Sequence, residues 1–154
     1  MIQYLDLIRE ASKKMNLVSS KDLDVLVERH LVDSLNALVG IEIMPDLHCA
    51  DLGSGAGFPG IPIAIARPNI TIDLVESRRL KSLFLIKAID ELKLENAKII
   101  HGRWEEQSAK YDYIFARAVY NENDLRELAL PRLNQGGALI YFEKFMKVKI
   151  IRSS

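Results

Sequence analysis

One cysteine stands in 154 residues, so no disulfide framework forms within the chain, and a reducing compartment suits it. Cys49 lies in an apolar stretch and reads as a small buried hydrophobe. No apolar run approaches the roughly 18 residues that a membrane span needs. The opening MIQYLDLIREASKK mixes acids, bases and apolar residues, unlike the uninterrupted apolar core of a signal peptide. A cytoplasmic protein away from membranes is therefore expected. His30, His48 and His101 are scattered without partners at ligand spacing, so no metal is expected. Net charge is missing too, since 21 Lys and Arg face 21 Asp and Glu. A general nucleic-acid coat is usually basic. Any nucleic-acid contact here must come from a local patch.

What is present suits one folded unit. Apolar residues make up 49% of the chain and charged residues 27%, enough to build a core and too apolar for disorder. Leu5, Ile8, Ala11 and Met15 recur at a helical period over 2–15. Leu23, Leu26, Val27, Leu31, Leu35 and Leu38 mark a second amphipathic helix over 22–38, with Asp22 as its N-cap. After Pro45 the texture becomes alternating strand and helix. Strands are expected at Leu47–Leu52, Ile70–Glu76, Ala97–His101, Tyr113–Ala116 and Ala138–Phe142. Helices are expected near 60–66, 78–92 and 122–132. That alternation predicts an α/β fold with a parallel sheet and right-handed crossovers. Within 78–92, Leu80, Leu83, Phe84, Ile86 and Ile89 are expected on a broad buried face. The expected organisation is a single domain over 1–154: a helical cap at 1–45, an α/β core at 46–145 and a basic tail at 146–154.

The strongest local signal is DLGSGAGFPG, Asp51 to Gly60. It follows an apolar strand and opens an apolar helix. Two readings fit it. Gly55, Gly57 and Gly60 match the dinucleotide spacing, with Glu76 about 20 residues on. That makes an NAD(P)-binding oxidoreductase an alternative. The favoured reading starts at Asp51 and uses Gly53, Ser54, Gly55 and Gly57 as a loop for S-adenosylmethionine. That cofactor has no phosphate but carries an ammonium and a sulfonium, which an acid-lined loop suits. Asp51 is then expected to face the ammonium, and Glu76 to accept both ribose hydroxyls.

KMNLVS at 14–19, ERHLVDSL at 28–35, DLGSGAGFPGIPIAI at 51–65, LKLENAKIIHGRWEE at 92–106 and FARAV at 115–119 together resemble the bacterial 16S ribosomal RNA guanine-N7 methyltransferases, the glucose-inhibited division protein B family. The resemblance implies a Rossmann-like class I methyltransferase fold, S-adenosylmethionine as cofactor, and 16S ribosomal RNA or the small ribosomal subunit as partner of a monomer. It implies cofactor contacts from Gly53 and Phe58, from Trp104 and Glu105, and from Arg117. Lys144 corresponds to the family's lysine at the end of the fifth strand. It and Arg117 are the candidates for a catalytic role, although orientation alone can drive the transfer. His30, Asp33 and Ser34 match an RHxxDSL helix, as a packing network or as part of the site, and Asn16 could clamp that helix. Phosphate contacts could come from Lys13 and Lys14, from Arg78, Arg79 and Lys81, or from the 144–152 tail.

Relative to that family, the C-terminal antiparallel hairpin is expected to be missing. Strand 138–142 is then an exposed edge unless the MKVKII tail shields it. A shortened, non-catalytic RNA-binding or ribosome-binding remnant is the second alternative.

Overall fold

HCADL and TIDLVE place apolar side chains on both strand faces, Cys49 against Ala50 and Leu52, and Ile72 and Leu74 against Val75, so they suit a sheet covered on both sides. A computed structural model places them there. It describes residues 1–15, 17–19, 23, 25–39, 41, 44–117, 121–144 and 147–153. Asn16, Asp22 and the side chains of Val27 and Lys144 lie outside the described part. The strands are β1 His48–Leu52, β2 Thr71–Glu76, β3 Ala97–His101, β4 Tyr111–Arg117, β5 Leu133–Lys144 and β6 Lys147–Arg152. They form one sheet in the order β3-β2-β1-β4-β5-β6. The first five are parallel to their neighbours, and β6 runs antiparallel to β5.

The chain steps outward from β1 to β2 to β3, then returns to place β4 against the other side of β1. The strand order therefore reverses beside β1. In open α/β sheets a crevice opens at that point, at the carboxyl ends of the strands.

The helices are α1 Ile2–Ser12, α2 Asp33–Asn36, α3 Gly60–Ala66, α4 Arg79–Glu91 and α5 Glu122–Ala129. Alternation along the strands sorts the core into two layers. Cys49, Ile72, Leu74, Phe115 and Ile140 face a cluster shared with Tyr4, Ile8 and Leu26 of the N-terminal segment and with Ile61, Ile63 and Leu85. Ala50, Leu52, Ile114 and Leu139 face the other cluster, with Trp104 and Leu125. The N-terminal helices thus pack into the same core layer as the sheet.

Three expectations change. The 22–38 segment is not one regular helix. Leu26–Val32 is a π-helix that runs directly into α2, and the polar pair Asp33 and Ser34 is buried. In α4, Leu80, Leu83 and Ile86 are 65%, 51% and 48% exposed, while Ser82, Phe84, Leu85 and Ala88 are buried. Ser82 faces the strand end, where its one hydroxyl proton is shared between the carbonyls of Glu76 and Arg78 and its oxygen meets His101 Nδ1 at 2.9 Å. A serine anchored to the strand end turns the larger apolar side chains outward.

The third change is at the C-terminus. Within the expected tail, Lys147–Arg152 is strand β6, which pairs with β5 from Ala138↔Arg152 to Phe142↔Val148. Val148 packs on one core layer and Ile151 on the other. β5 is consequently an inner strand: the MKVKII tail shields its edge through one antiparallel strand, Lys147–Arg152.

Candidate functional site

The connection from β1 to α3 is fixed mainly by its own backbone. The N–H groups of Gly53 and Ser54 both donate to Val75 O at 3.0 Å, and Gly57 N–H donates to Ser54 O at 2.7 Å. Gly57 has φ +97, and a β-carbon there would lie 2.7 Å from Ile61 Cδ1. A left-handed backbone angle and a close helix both require glycine. From the N-terminal side, the Tyr4 hydroxyl donates to Ala56 O at 2.8 Å.

This loop forms the floor of a cavity of about 700 Å³ at the carboxyl ends of the strands. Its walls include Gly53, Ser54, Gly55 and Phe58 from the loop, Glu76 from β2, Trp104 and Glu105 after β3, and Arg117 from β4. Eight of the ten residues expected to hold the cofactor therefore share one cavity. Asp51 and Gly57 do not line it; Gly57 acts through the loop's shape.

Asp51 corrects its expectation. Its carboxylate is 1% exposed and sits behind the loop, where Oδ2 accepts the Gly60 N–H at 3.0 Å. It braces the turn into α3 instead of facing the cavity. Burial pushes its carboxyl up to about 7, and the Gly60 N–H, which favours the ionised form, offsets part of that rise. The unfolded chain would release this proton near pH 4. Between the two values the folded state holds more protons, so stability falls as pH rises through that window and levels off above it. Asp51→Asn, whose amide oxygen can still accept the Gly60 N–H, is expected to remove this slope. Urea midpoints at pH 5 and pH 8 check it: the variant should gain on the wild type at the higher pH, and equal differences at both would refute the assignment.

Glu76 remains in the wall. Its Oε2 accepts the Gly55 N–H at 2.8 Å and its Oε1 the Arg78 N–H at 2.7 Å. These two bonds fix the carboxylate plane, and each oxygen keeps a lone-pair direction for a further donor.

Trp104 is used differently from its expectation. It is 3% exposed, its indole N–H donates to Leu128 O at 2.8 Å, and its ring stacks on Tyr111 under the Arg132 guanidinium. It meets the cavity as the rim of the core and is not a free stacking face.

Arg117 is the most engaged of the expected residues. Its guanidinium meets Asp33 Oδ2 at 3.1 Å and donates to the carbonyls of Arg29 at 2.7 Å and His30 at 3.3 Å. It also lies over the Phe142 ring. His30 stacks on Phe58 at 5.0 Å between ring centroids and lines the cavity. Sequence reasoning missed Tyr4, whose contact spans 52 residues and carries no local signal. It also missed Arg103, which lines the cavity beside Trp104 and stands within the HGRWEE run.

The first turn of α3 bears on the two glycine-loop readings. A diphosphate is held by free N–H groups at such a helix start. Here Gly60 N–H goes to Asp51, Ile61 N–H to Gly57 O and Ile63 N–H to Pro59 O, and Pro62 has none. The helix start offers a phosphate no donor, and a carboxylate stands behind it.

Among the described residues no helix is long and apolar enough to cross a membrane, and no group of His, Cys, Asp and Glu could hold a metal ion.

Comparison with solved structures finds the same fold. M. jannaschii TYW2, solved in complex with AdoMet, superposes with a TM-score of 0.63 at 17% identity, over 80% of this chain and 53% of that one. Coclaurine N-methyltransferase, bound to N-methylheliamine and SAH, gives 0.58 at 18% identity, over 64% of this chain and 31% of that one.

Sequence relatives are nearer. The ribosomal RNA small subunit methyltransferase G of Oenococcus oeni is 39% identical over 147 residues, covering 89% of this chain and 60% of the relative. That of Lysinibacillus sphaericus is 38% identical over 144 residues, covering 90% and 60%. The chain thus spans about 60% of the length of these relatives. The family described as GidB, rRNA small subunit methyltransferase G, matches residues 1–149. With that match and these identities, the chain belongs to the rRNA small subunit methyltransferase G family.

Proposed function

We propose that this chain is a cytoplasmic, monomeric S-adenosylmethionine-dependent methyltransferase acting on N7 of a guanine in 16S ribosomal RNA, free or within the small subunit. The carrying observation is the cavity beside β1, floored by the glycine loop and walled by the Glu76 carboxylate, with the α3 amides already satisfied. Its volume of about 700 Å³ lies in the usual range for a small-molecule site. Glu76 fits two ribose hydroxyls. The satisfied helix start fits a cofactor without phosphates and speaks against a dinucleotide. The relatives' names supply the RNA.

The bound cofactor would supply an electrophilic methyl group on a sulfonium. Guanine N7 already carries an in-plane lone pair, so this chain needs no general base. Its residues contribute position: Glu76 and the loop fix one partner, and the cavity walls align the other. The base must leave any stack to enter. Arg78, Lys81 and Arg103 line the same cavity and make no ion pair with an acid among the described residues. They are available to RNA phosphates.

Calorimetry tests the cofactor. S-adenosylmethionine or S-adenosylhomocysteine should bind in the micromolar range, about −7 to −8 kcal/mol, and NADH should not. No heat with either adenosyl ligand at millimolar concentration would overturn the reading. Transfer of a labelled methyl group to small subunits tests the reaction. Binding without transfer would favour the non-catalytic RNA-binding alternative.

Glu76→Ala should weaken S-adenosylhomocysteine binding by tenfold or more. A hydrogen bond to a charged group contributes on the order of 1.5–3 kcal/mol. Asp90→Ala, an exposed change on α4, should be near neutral. Equal affinities for the two variants would remove Glu76 from the ribose site.

A further inference from the structure

The RHxxDSL trio acquires a joint role once Arg117 is considered with it. A π-helix closes its hydrogen bonds over one more residue than an α-helix, i→i+5 in place of i→i+4. Such turns are rare and occur most often at functional sites. Here the π-helix Leu26–Val32 turns the carbonyls of Arg29 and His30 toward β4, and Arg117 donates to both. Ser34, one turn on, donates its hydroxyl to the His30 carbonyl. Asp33 opens α2 with a 2% exposed side chain and meets the 14% exposed Arg117 guanidinium at 3.1 Å.

One arginine at the end of a central strand thus gathers the whole turn. The consequence appears on the cavity side, where His30 is laid on Phe58 of the glycine loop and Leu17, Val18 and Ser19 complete the wall.

Charge points the same way. S-adenosylmethionine has one carboxylate against an ammonium and a sulfonium, so it is a net cation. A bare guanidinium in its cavity would repel it. The Asp33 carboxylate neutralises Arg117 in place, and the two carbonyl oxygens accept its N–H groups.

We propose that Asp33 is a positioning residue of the methyl-transfer site. Through Arg117 it locks the π-turn, so that the N-terminal segment forms a wall of the cofactor cavity, and it cancels the charge of that arginine. The inference rests on the functional reading above. A purely structural Asp33 would affect every ligand in proportion to lost stability. A positioning Asp33 acts on the cavity and distinguishes a cationic ligand from a neutral one.

The test is calorimetry on the full chain with S-adenosylmethionine and with its thioether product, S-adenosylhomocysteine, which lacks the sulfonium charge. The proteins are wild type, Asp33→Asn, Asp33→Glu, Arg117→Gln, the Asn/Gln double variant and Leu125→Ala. Leu125 is buried in the opposite core layer and serves as the control for lost stability. Amide exchange over 26–36 gives a readout independent of any ligand.

Asp33→Asn should bind the product about tenfold more weakly and S-adenosylmethionine about thirtyfold more weakly, and should exchange faster over 26–36. Asp33→Glu should recover most of the loss. The double variant should be no weaker than the worse single one, and Leu125→Ala should stay within threefold of wild type. Wild-type affinity in Asp33→Asn, an equal loss in Leu125→Ala, or single losses that multiply in the double variant would each overturn the proposal while leaving the cofactor site standing. A wild type that binds neither ligand would remove the functional reading, and this inference with it.

Discussion

Gly60→Ala is expected to cost about 3 kcal/mol or more of stability and to abolish cofactor binding. The glycine opens α3 directly against β2. A β-carbon there would stand 2.3 Å from Leu74 Cδ2, 2.7 Å from Asp51 Oδ2 and 3.0 Å from Asp51 Cβ. All three atoms are side-chain atoms of Leu74 and Asp51, which are buried on β2 and β1, so room for the methyl group must come from repacking both side chains inside the core. Overpacking of this kind costs about 1–3 kcal/mol. The same methyl group displaces the carboxylate that accepts the Gly60 N–H, leaving buried polar groups without partners at about 1–3 kcal/mol more.

Gly136→Ala is the matched control. Its φ is +76 and nothing lies within 4 Å of the added carbon, so only backbone strain of roughly 1–2 kcal/mol applies. Denaturant midpoints with S-adenosylhomocysteine titrations compare the two. If Gly60→Ala is no less stable than Gly136→Ala, the packing of α3 on β2 is looser than described.

Much of this site was legible in the sequence because its signals are local. Five apolar runs at α/β spacing give β1 to β5, and the glycine loop with Glu76 at the next strand end gives the floor and one wall of the cavity. What stayed hidden depends on direction or on distance in the chain. Asp51 could be placed at a strand end, but the alternation of one strand does not say that its carboxylate turns behind the loop to meet Gly60. The face of α4 was misjudged because hydrophobicity counts Leu80, Leu83 and Ile86, whereas the bonds of Ser82 fix the rotation. The MKVKII tail was legible as a basic segment able to shield the edge of β5, but not the burial that makes it a strand, with Val148 and Ile151 each reaching a core layer. The partners of Arg117 lie 84 to 88 residues upstream of it, at Arg29, His30 and Asp33. No periodicity connects them.

That long-range contact gives the second large effect. Arg117→Leu should destabilise the chain by about 3–5 kcal/mol, the usual cost of removing one partner from a buried ion pair. The leucine would leave the Asp33 carboxylate buried against β4 without its guanidinium, and the Arg29 and His30 carbonyls without the donor that now reaches them. The loss of the guanidinium from the buried carboxylate is the larger part, because weakening the pairing of a buried charge costs more than losing a neutral hydrogen bond.

Removing the charge as well should therefore restore stability. Asp33→Leu combined with Arg117→Leu is expected to recover at least half of the single-variant loss, since apolar replacements of buried ion pairs are often neutral or better. Urea unfolding of wild type, both single variants and the double one provides the cycle. A double variant as unstable as the sum of the singles would mean that the two side chains act independently. The joint between the N-terminal segment and β4 would then rest on the core cluster that Leu26 and Phe115 share instead of on the ion pair.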